Sequence, residues 1–229
     1  MRNRACSCYN TCMEKYDLIR GRRKTVSMRL DKEGKITVFA PLHFPQEKID
    51  AFVTKNVGWI IRKRNELAAR TPISVLSYKN GERIPFFGEE YVLRLQKGKT
   101  VKTANGEIFL PSAAPAAALK RYYIKRLKAE IMFLLEKYSH KTGFVPTHLS
   151  ITSARTRWGS CSGKNALSFS FRLAMCCPSA IEYVVIHELC HIRYKNHSSK
   201  FWKEVEKYCS DYKEIKKYLK EKSYFMEII

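Results

Sequence analysis

The residues of this chain best suited to making and breaking bonds stand together in the run His187-Glu188-Leu189-Cys190-His191, with His197 following. Half of the chain's 6 histidines lie in this stretch. Zinc takes imidazole nitrogens at ~2.0–2.1 Å in a tetrahedral set and keeps one position open when the site is catalytic. On a helix, residues four apart differ by about 40° in direction and ~6 Å in height, so His187 and His191 share a face and can reach one ion. His197 supplies a third ligand if the chain leaves the helix through Lys195-Asn196 and folds back under the metal. Glu188 lies about 100° round the helix from His187, beside the ion but off its ligand face. A carboxylate so placed suits a general base, because zinc brings the pKa of a water it holds to ~7. The expectation is one Zn2+ per chain at His187, His191 and His197, with Glu188 as the catalytic residue. At this chain's own His and Glu frequencies the HExxH pattern arises by chance about 0.01 times per chain, so a scatter of surface histidines does not account for it.

The elements that must position these groups are legible around them. Pro178 suits a first helical turn, and Ile181, Val184, Val185, Leu189 and Ile192 form the apolar stripe of the helix that carries the motif. Before it, Leu149 to Ser153 and Ala166 to Leu173 (ALSFSFRL) read as strands flanking the turn-rich stretch 158–163. ALSFSFRL can be a core strand or one lying beside an extended substrate, and an edge strand can be both. After the motif, Ser198 or Ser199 can cap a helix with Phe201, Trp202, Val205 and Cys209, and Asp211 with Glu214 has capping-box spacing for a last helix through Lys220.

Further upstream, Ala116 to His140 carries Leu119, Tyr122, Tyr123, Leu127, Ile131, Leu134 and Leu135 at spacings of three and four, the pattern of a long amphipathic helix stopped by Gly143 and Pro146. Residues 24–40 read as a hairpin turning at Asp31 to Gly34, followed by one helix from Gln46 to Arg70. Strands are expected at 82–87 and 90–95, joined through Gly88, and at 107–110. With a boundary near Pro111 to Pro115, the fold class is α+β: an N-terminal extension (1–20), a small α/β domain (21–112) and a metal-dependent hydrolase domain (113–229).

Two blocks, Ser153 to Ser162 (SARTRWGSCS) and HELCHIRYKNHSSKFW from His187, carry a resemblance to the YgjP-like metallopeptidase family of the zincin class, related to the SprT-like and WLM proteases. It spans most of residues 145–215 and extends more weakly back to about residue 22, leaving residues 1–20 outside. The resemblance implies a zincin-like catalytic domain with His187, His191 and His197 as ligands, Glu188 as base, and a peptide or protein substrate. Tyr194 stands where metzincins carry Gly, which disfavours that group. Arg155, Arg157 and Trp158, in the first block, are candidates for substrate binding, for oxyanion stabilisation or for bracing their loop.

Composition adds bounds. The net charge of +22, from 43 basic and 21 acidic residues, is spread over the whole chain and suggests an anionic partner. Sequence-independent binding of nucleic acid is one such expectation, with Tyr122 and Tyr123 beside Lys120 and Arg121 as stacking candidates or core residues. No apolar run resembles an export signal or a membrane span, so a cytoplasmic protein without a membrane partner is expected. The 8 cysteines then read as reduced thiols. Cys6, Cys8 and Cys12 lack knuckle spacing and read as part of an unordered tail, while Cys161, Cys176, Cys177 and Cys190 read as small buried hydrophobes. Two competing functions remain: a zinc-dependent nucleotide phosphoanhydride hydrolase, and a nucleic-acid-binding protein with a structural zinc. Glu188 weighs against the second, because a closed structural site has no use for a carboxylate at an open position.

Overall fold

The computed structural model describes residues 15–31, 33–68 and 75–229, and Cys6, Cys8 and Cys12 lie outside them. The chain divides into two compact units, Met1–Pro72 and Ile73–Ile229.

In the first unit, β2 (Ser27–Leu30) and β3 (Ile36–Pro41) form the expected hairpin, with Met28 opposite Val38. Strand β1 (Tyr16–Gly21) pairs parallel with β3 on its other side, so the sheet order is β1-β3-β2 and residues 16–20 are not part of an extension. Leu18, inside that strand, packs partly against the unit's core. The single helix expected over 46–70 is two: α1 (Gln46–Lys55) and α2 (Val57–Ala68). Asn56 makes the break. Its N–H turns back to the Val53 carbonyl at 2.9 Å and its side-chain amide donates to the Phe52 carbonyl at 2.8 Å, local bonds that compete with helix continuation. Ile49, Val53 and Ile60 still reach one buried cluster with Ile36, Val38 and Ala40.

In the second unit, β4 (Arg83–Phe86), β5 (Glu89–Gln96), β6 (Lys102–Ala104) and β7 (Glu107–Pro111) form a sheet in the order β4-β5-β7-β6. These strands belong with the C-terminal elements, and the division falls near residue 72 where the sequence pattern suggests 112. The reason is burial: Ile84, Phe86, Leu93, Ile108 and Leu110 share a core with Leu119, Tyr123, Leu127 and Ile131 of α3 (Pro115–Thr142). Gly143 ends α3 in the left-handed region at φ 71°, and its N–H reaches the Ser139 carbonyl at 2.9 Å. Truncating a fully buried α3 leucine such as Leu127 to alanine costs about 2–5 kcal/mol in such a core.

A second, three-stranded sheet has the order β8-β10-β9, from β8 (His148–Thr152), β9 (Gly159–Cys161) and β10 (Ala166–Ser170). Here the ALSFSFRL stretch is shorter than expected, and of its two readings the core strand is the one that holds. Its strand stops at Ser170, whose hydroxyl donates to the Ala154 carbonyl at 2.7 Å, and Phe171–Met175 tightens into a buried 3-10 segment. It is also the central strand, paired parallel to β8 and antiparallel to β9, so neither of its edges is open to a substrate. The sheet's edges are β8 and β9, the latter inside the stretch that reads as a turn.

The last helices are α4 (Pro178–Arg193), α5 (Ser199–Tyr208) and α6 (Tyr212–Glu221). Asp211 stands at the N-cap of α6 as expected, but no side-chain capping bond forms there, so the capping box is not made. No described helix is long and apolar enough to cross a membrane.

Candidate metal centre

Helix α4 starts at Pro178, where a missing N–H costs nothing, and buries Ile181, Val184, Val185 and Leu189. That burial fixes its rotation and turns His187 and His191 to the opposite, half-buried side. The helix stops at Arg193 because Tyr194 is extended, while its N–H still reaches the Cys190 carbonyl at 2.9 Å. The chain then doubles back, and Asn196 bonds the Ser198 N–H at 3.3 Å to close a short turn around His197.

The result is a cluster of three imidazoles. His197 Nε2 lies 3.1 Å from His187 Nε2 and 3.2 Å from His191 Nε2. Three nitrogens sharing one zinc at ~2.0–2.1 Å in tetrahedral array stand about 3.3 Å apart, so the two spacings from His197 fit the ion, as does the chemistry of the donor set. Among the described residues, these three histidines are the group whose ligand atoms converge in this way.

Outer contacts orient the rings. His191 Nδ1 is 2.8 Å from the Tyr194 carbonyl, which can only accept, so Nδ1 carries the proton and Nε2 presents a lone pair to the cluster. His187 Nδ1 lies 3.3 Å from the Tyr183 hydroxyl one turn earlier. Aromatic rings wall the site: Phe201 stacks on His191 at 4.4 Å, and Trp202 stacks on His197 at 5.5 Å and on Tyr212 at 5.3 Å. Burial, reinforced by the charges of His191, His197 and Lys216, drives the His187 pKa down to about 3. Burial likewise lowers that of His191. Both rings are therefore held neutral, the form that ligates metal.

Glu188 is 6% exposed, a rare state for a carboxylate. Burial raises its pKa to about 7, against the opposing pull of Arg157 and of a hydrogen bond from the Cys161 backbone N–H. Gly159 on β9 makes room for it: a Cβ there would lie 2.8 Å from Glu188 Cγ and 2.9 Å from Oε1.

The first block is thus placed with the cluster in part. Gly159 and Cys161 touch Glu188, and the exposed Arg157 acts on it electrostatically. Trp158 is half-buried against the core and its carbonyl accepts from the Ser170 N–H at 2.8 Å, which fits bracing. Arg155 is exposed, and its charge acts on the buried Arg172. Cys176 and Cys190 are buried as read, whereas Cys161 and Cys177 are half-exposed. Tyr183, Phe201, Trp202, Gly159 and the Tyr194 carbonyl are parts of the site that motif reasoning passes over. The one available signal is periodicity, since Tyr183 precedes His187 by one turn.

The YgjP-like metallopeptidase domain family matches residues 24–222. The chain belongs to this family. No curated protein and no solved structure matches the chain. Membership makes this YgjP-like protein a metallopeptidase-type hydrolase by family, for which a divalent metal and a peptide or protein substrate are implied.

Proposed function

We propose that this YgjP-like protein is a zinc-dependent peptidase in which His187, His191 and His197 hold the metal and Glu188 is the general base. The observation that carries the reading is the convergence of three imidazoles, with His197 Nε2 at 3.1–3.2 Å from the Nε2 atoms of His187 and His191, beside a buried carboxylate. When bound, zinc supplies Lewis acidity, polarising a scissile carbonyl and making a water nucleophilic at neutral pH. The chain's own groups do the rest. The Tyr194 carbonyl holds the His191 tautomer, and Phe201 and Trp202 keep the imidazole rings in place and limit water around them. Glu188, with its pKa raised to about 7, can take a proton from the attacking water at its carboxylate and return it to the leaving amine.

The open strand edge beside the site is β9, whose Cys161 N–H already points to Glu188, so an extended peptide is proposed to lie on that side and not along β10. Arg157 is the candidate among the three first-block residues for touching the substrate, being exposed and within electrostatic reach of Glu188. Nucleic acid is not part of this reading, because Tyr123 is fully buried and Tyr122 tilts against Phe86 at 5.3 Å, which removes both from stacking on bases. The test is metal analysis of the purified protein followed by assay of the zinc form on a mixed peptide library. Cleavage that chelator abolishes and zinc restores is expected, and a metal-free protein or an inert zinc form overturns the proposal.

A further inference from the structure

The loop that carries His197 is joined to the strand that cradles Glu188 by one side chain. Lys195 lies in the connection between α4 and α5, two residues before His197. Its ammonium crosses to the β9–β10 turn and donates to Asn165 Oδ1 at 2.6 Å and to the Ser162 carbonyl at 3.3 Å, with Cys161 Sγ at 3.8 Å. The turn is built to receive it. Asn165 sits at φ 61°, a left-handed conformation that asparagine tolerates better than most residues, and its N–H bonds the Ser162 carbonyl at 3.0 Å. Ser162 also closes the turn from the other side, its hydroxyl accepting the Ala166 N–H at 3.0 Å.

The same turn continues into β9, where Gly159 and the Cys161 N–H meet Glu188. His197 is the most exposed of the three histidines and comes from a loop, whereas His187 and His191 are fixed by a packed helix. Of the three ligands it is therefore the one whose position depends most on what anchors its loop. A charge-assisted bond such as Lys195 to Asn165 is stronger than a neutral one, and it holds the loop at the point where it must turn back.

We infer that Lys195 is a positioning residue: through Asn165 and Ser162 it fixes the His197 loop against the β9 strand and so sets the metal site and Glu188 in register. The inference rests on the metal reading above and adds a residue that neither the motif nor the family match assigns. Loss of such an outer partner weakens metal binding by about 10–100-fold.

The experiment measures zinc affinity by chelator competition in the full chain for wild type, Lys195→Met, Asn165→Gly and the double variant. Asn165→Gly keeps the left-handed backbone and removes the acceptor, so it tests the contact without removing the lysine, and it covers the case in which Lys195→Met fails to fold. Each single variant is expected to bind zinc at least about tenfold more weakly, and the double variant to be little worse than either. Thermal unfolding of the metal-free forms, a readout a merely structural role would move, is expected to change little. Losses that add fully in the double variant, or affinities within twofold of wild type, overturn the inference while leaving the metal reading intact. A wild type that binds no zinc overturns both.

Discussion

Gly159 and Glu188 fit together so closely that no side chain can replace the glycine's hydrogen without a shift: a Cβ at 159 would meet Glu188 Cγ at 2.8 Å and Oε1 at 2.9 Å. Something must shift, and the carboxylate end is the movable part. Gly159→Ala is therefore expected to displace Glu188 while sparing the imidazoles, which β9 does not hold. Peptide turnover should fall by at least about tenfold, since small misplacements of a catalytic group are costly, and zinc content should stay at wild-type level. Turnover measured beside metal analysis checks it; loss of zinc in step with activity would point to a collapse of the whole site.

Glu188→Gln separates ligation from proton transfer. The amide is near in size and keeps an oxygen for the Cys161 N–H, so fold and zinc binding should survive. What it loses is the ability to take a proton, and turnover should drop by roughly two to four orders of magnitude. Full activity on any peptide that the wild type cleaves would remove Glu188 from the mechanism.

The two predictions depend on different kinds of legibility. His187, Glu188 and His191 follow from residue type and helical spacing, because α4 is held by an apolar stripe with the period the sequence displays. His197 has no helical period to place it, and it joins the cluster because its loop returns. The need for Gly159 is not legible, since its reason is a side chain 29 positions away, which no local pattern encodes. The same limit explains the larger misreadings. Strand β9 has only three residues and lies inside a turn-rich stretch, so the sequence leaves open whether β10 is a core or a substrate-flanking strand, and the structure makes it central. Asn56 broke a helix by side-chain bonds that leave the hydrophobic period intact on both sides. Alternation in β4 to β7 says which face is buried and not what buries it, so the core these strands share with α3 is not legible in their pattern.

Tyr183→Phe tests the outer contact of His187. The hydroxyl lies 3.3 Å from Nδ1, a long bond, so its loss should weaken zinc binding modestly, toward the low end of the range for such partners, about tenfold or less. Chelator competition reads this directly. A hundredfold loss would mean that the contact is tighter in the metal-bound protein, and no change would mean that ring packing, against Phe201 at 4.9 Å and Trp202 at 5.8 Å, orients the imidazole without the hydroxyl.

Zinc binding should also appear as stability, and this ties the triad to the fold around it. All three proposed ligands lie within residues 187–197, on α4 and the turn that leads to α5, and their nitrogens converge only in the folded chain. A ligand that binds the native form alone stabilises it by about 2.7 kcal/mol when free at a hundred times its dissociation constant. For a unit of this size each kcal/mol raises the midpoint by roughly 2–4 °C, so added zinc should lift the Tm of the chelated protein by about 5–10 °C. The double variant His187→Ala/His191→Ala should contain no zinc by metal analysis and show no lift. It removes two of three nitrogens and leaves His197, one exposed imidazole, unable to hold the ion alone. A wild type that zinc fails to stabilise, or a double variant stabilised to the same extent, would locate the metal elsewhere and take the catalytic assignment of Glu188 with it.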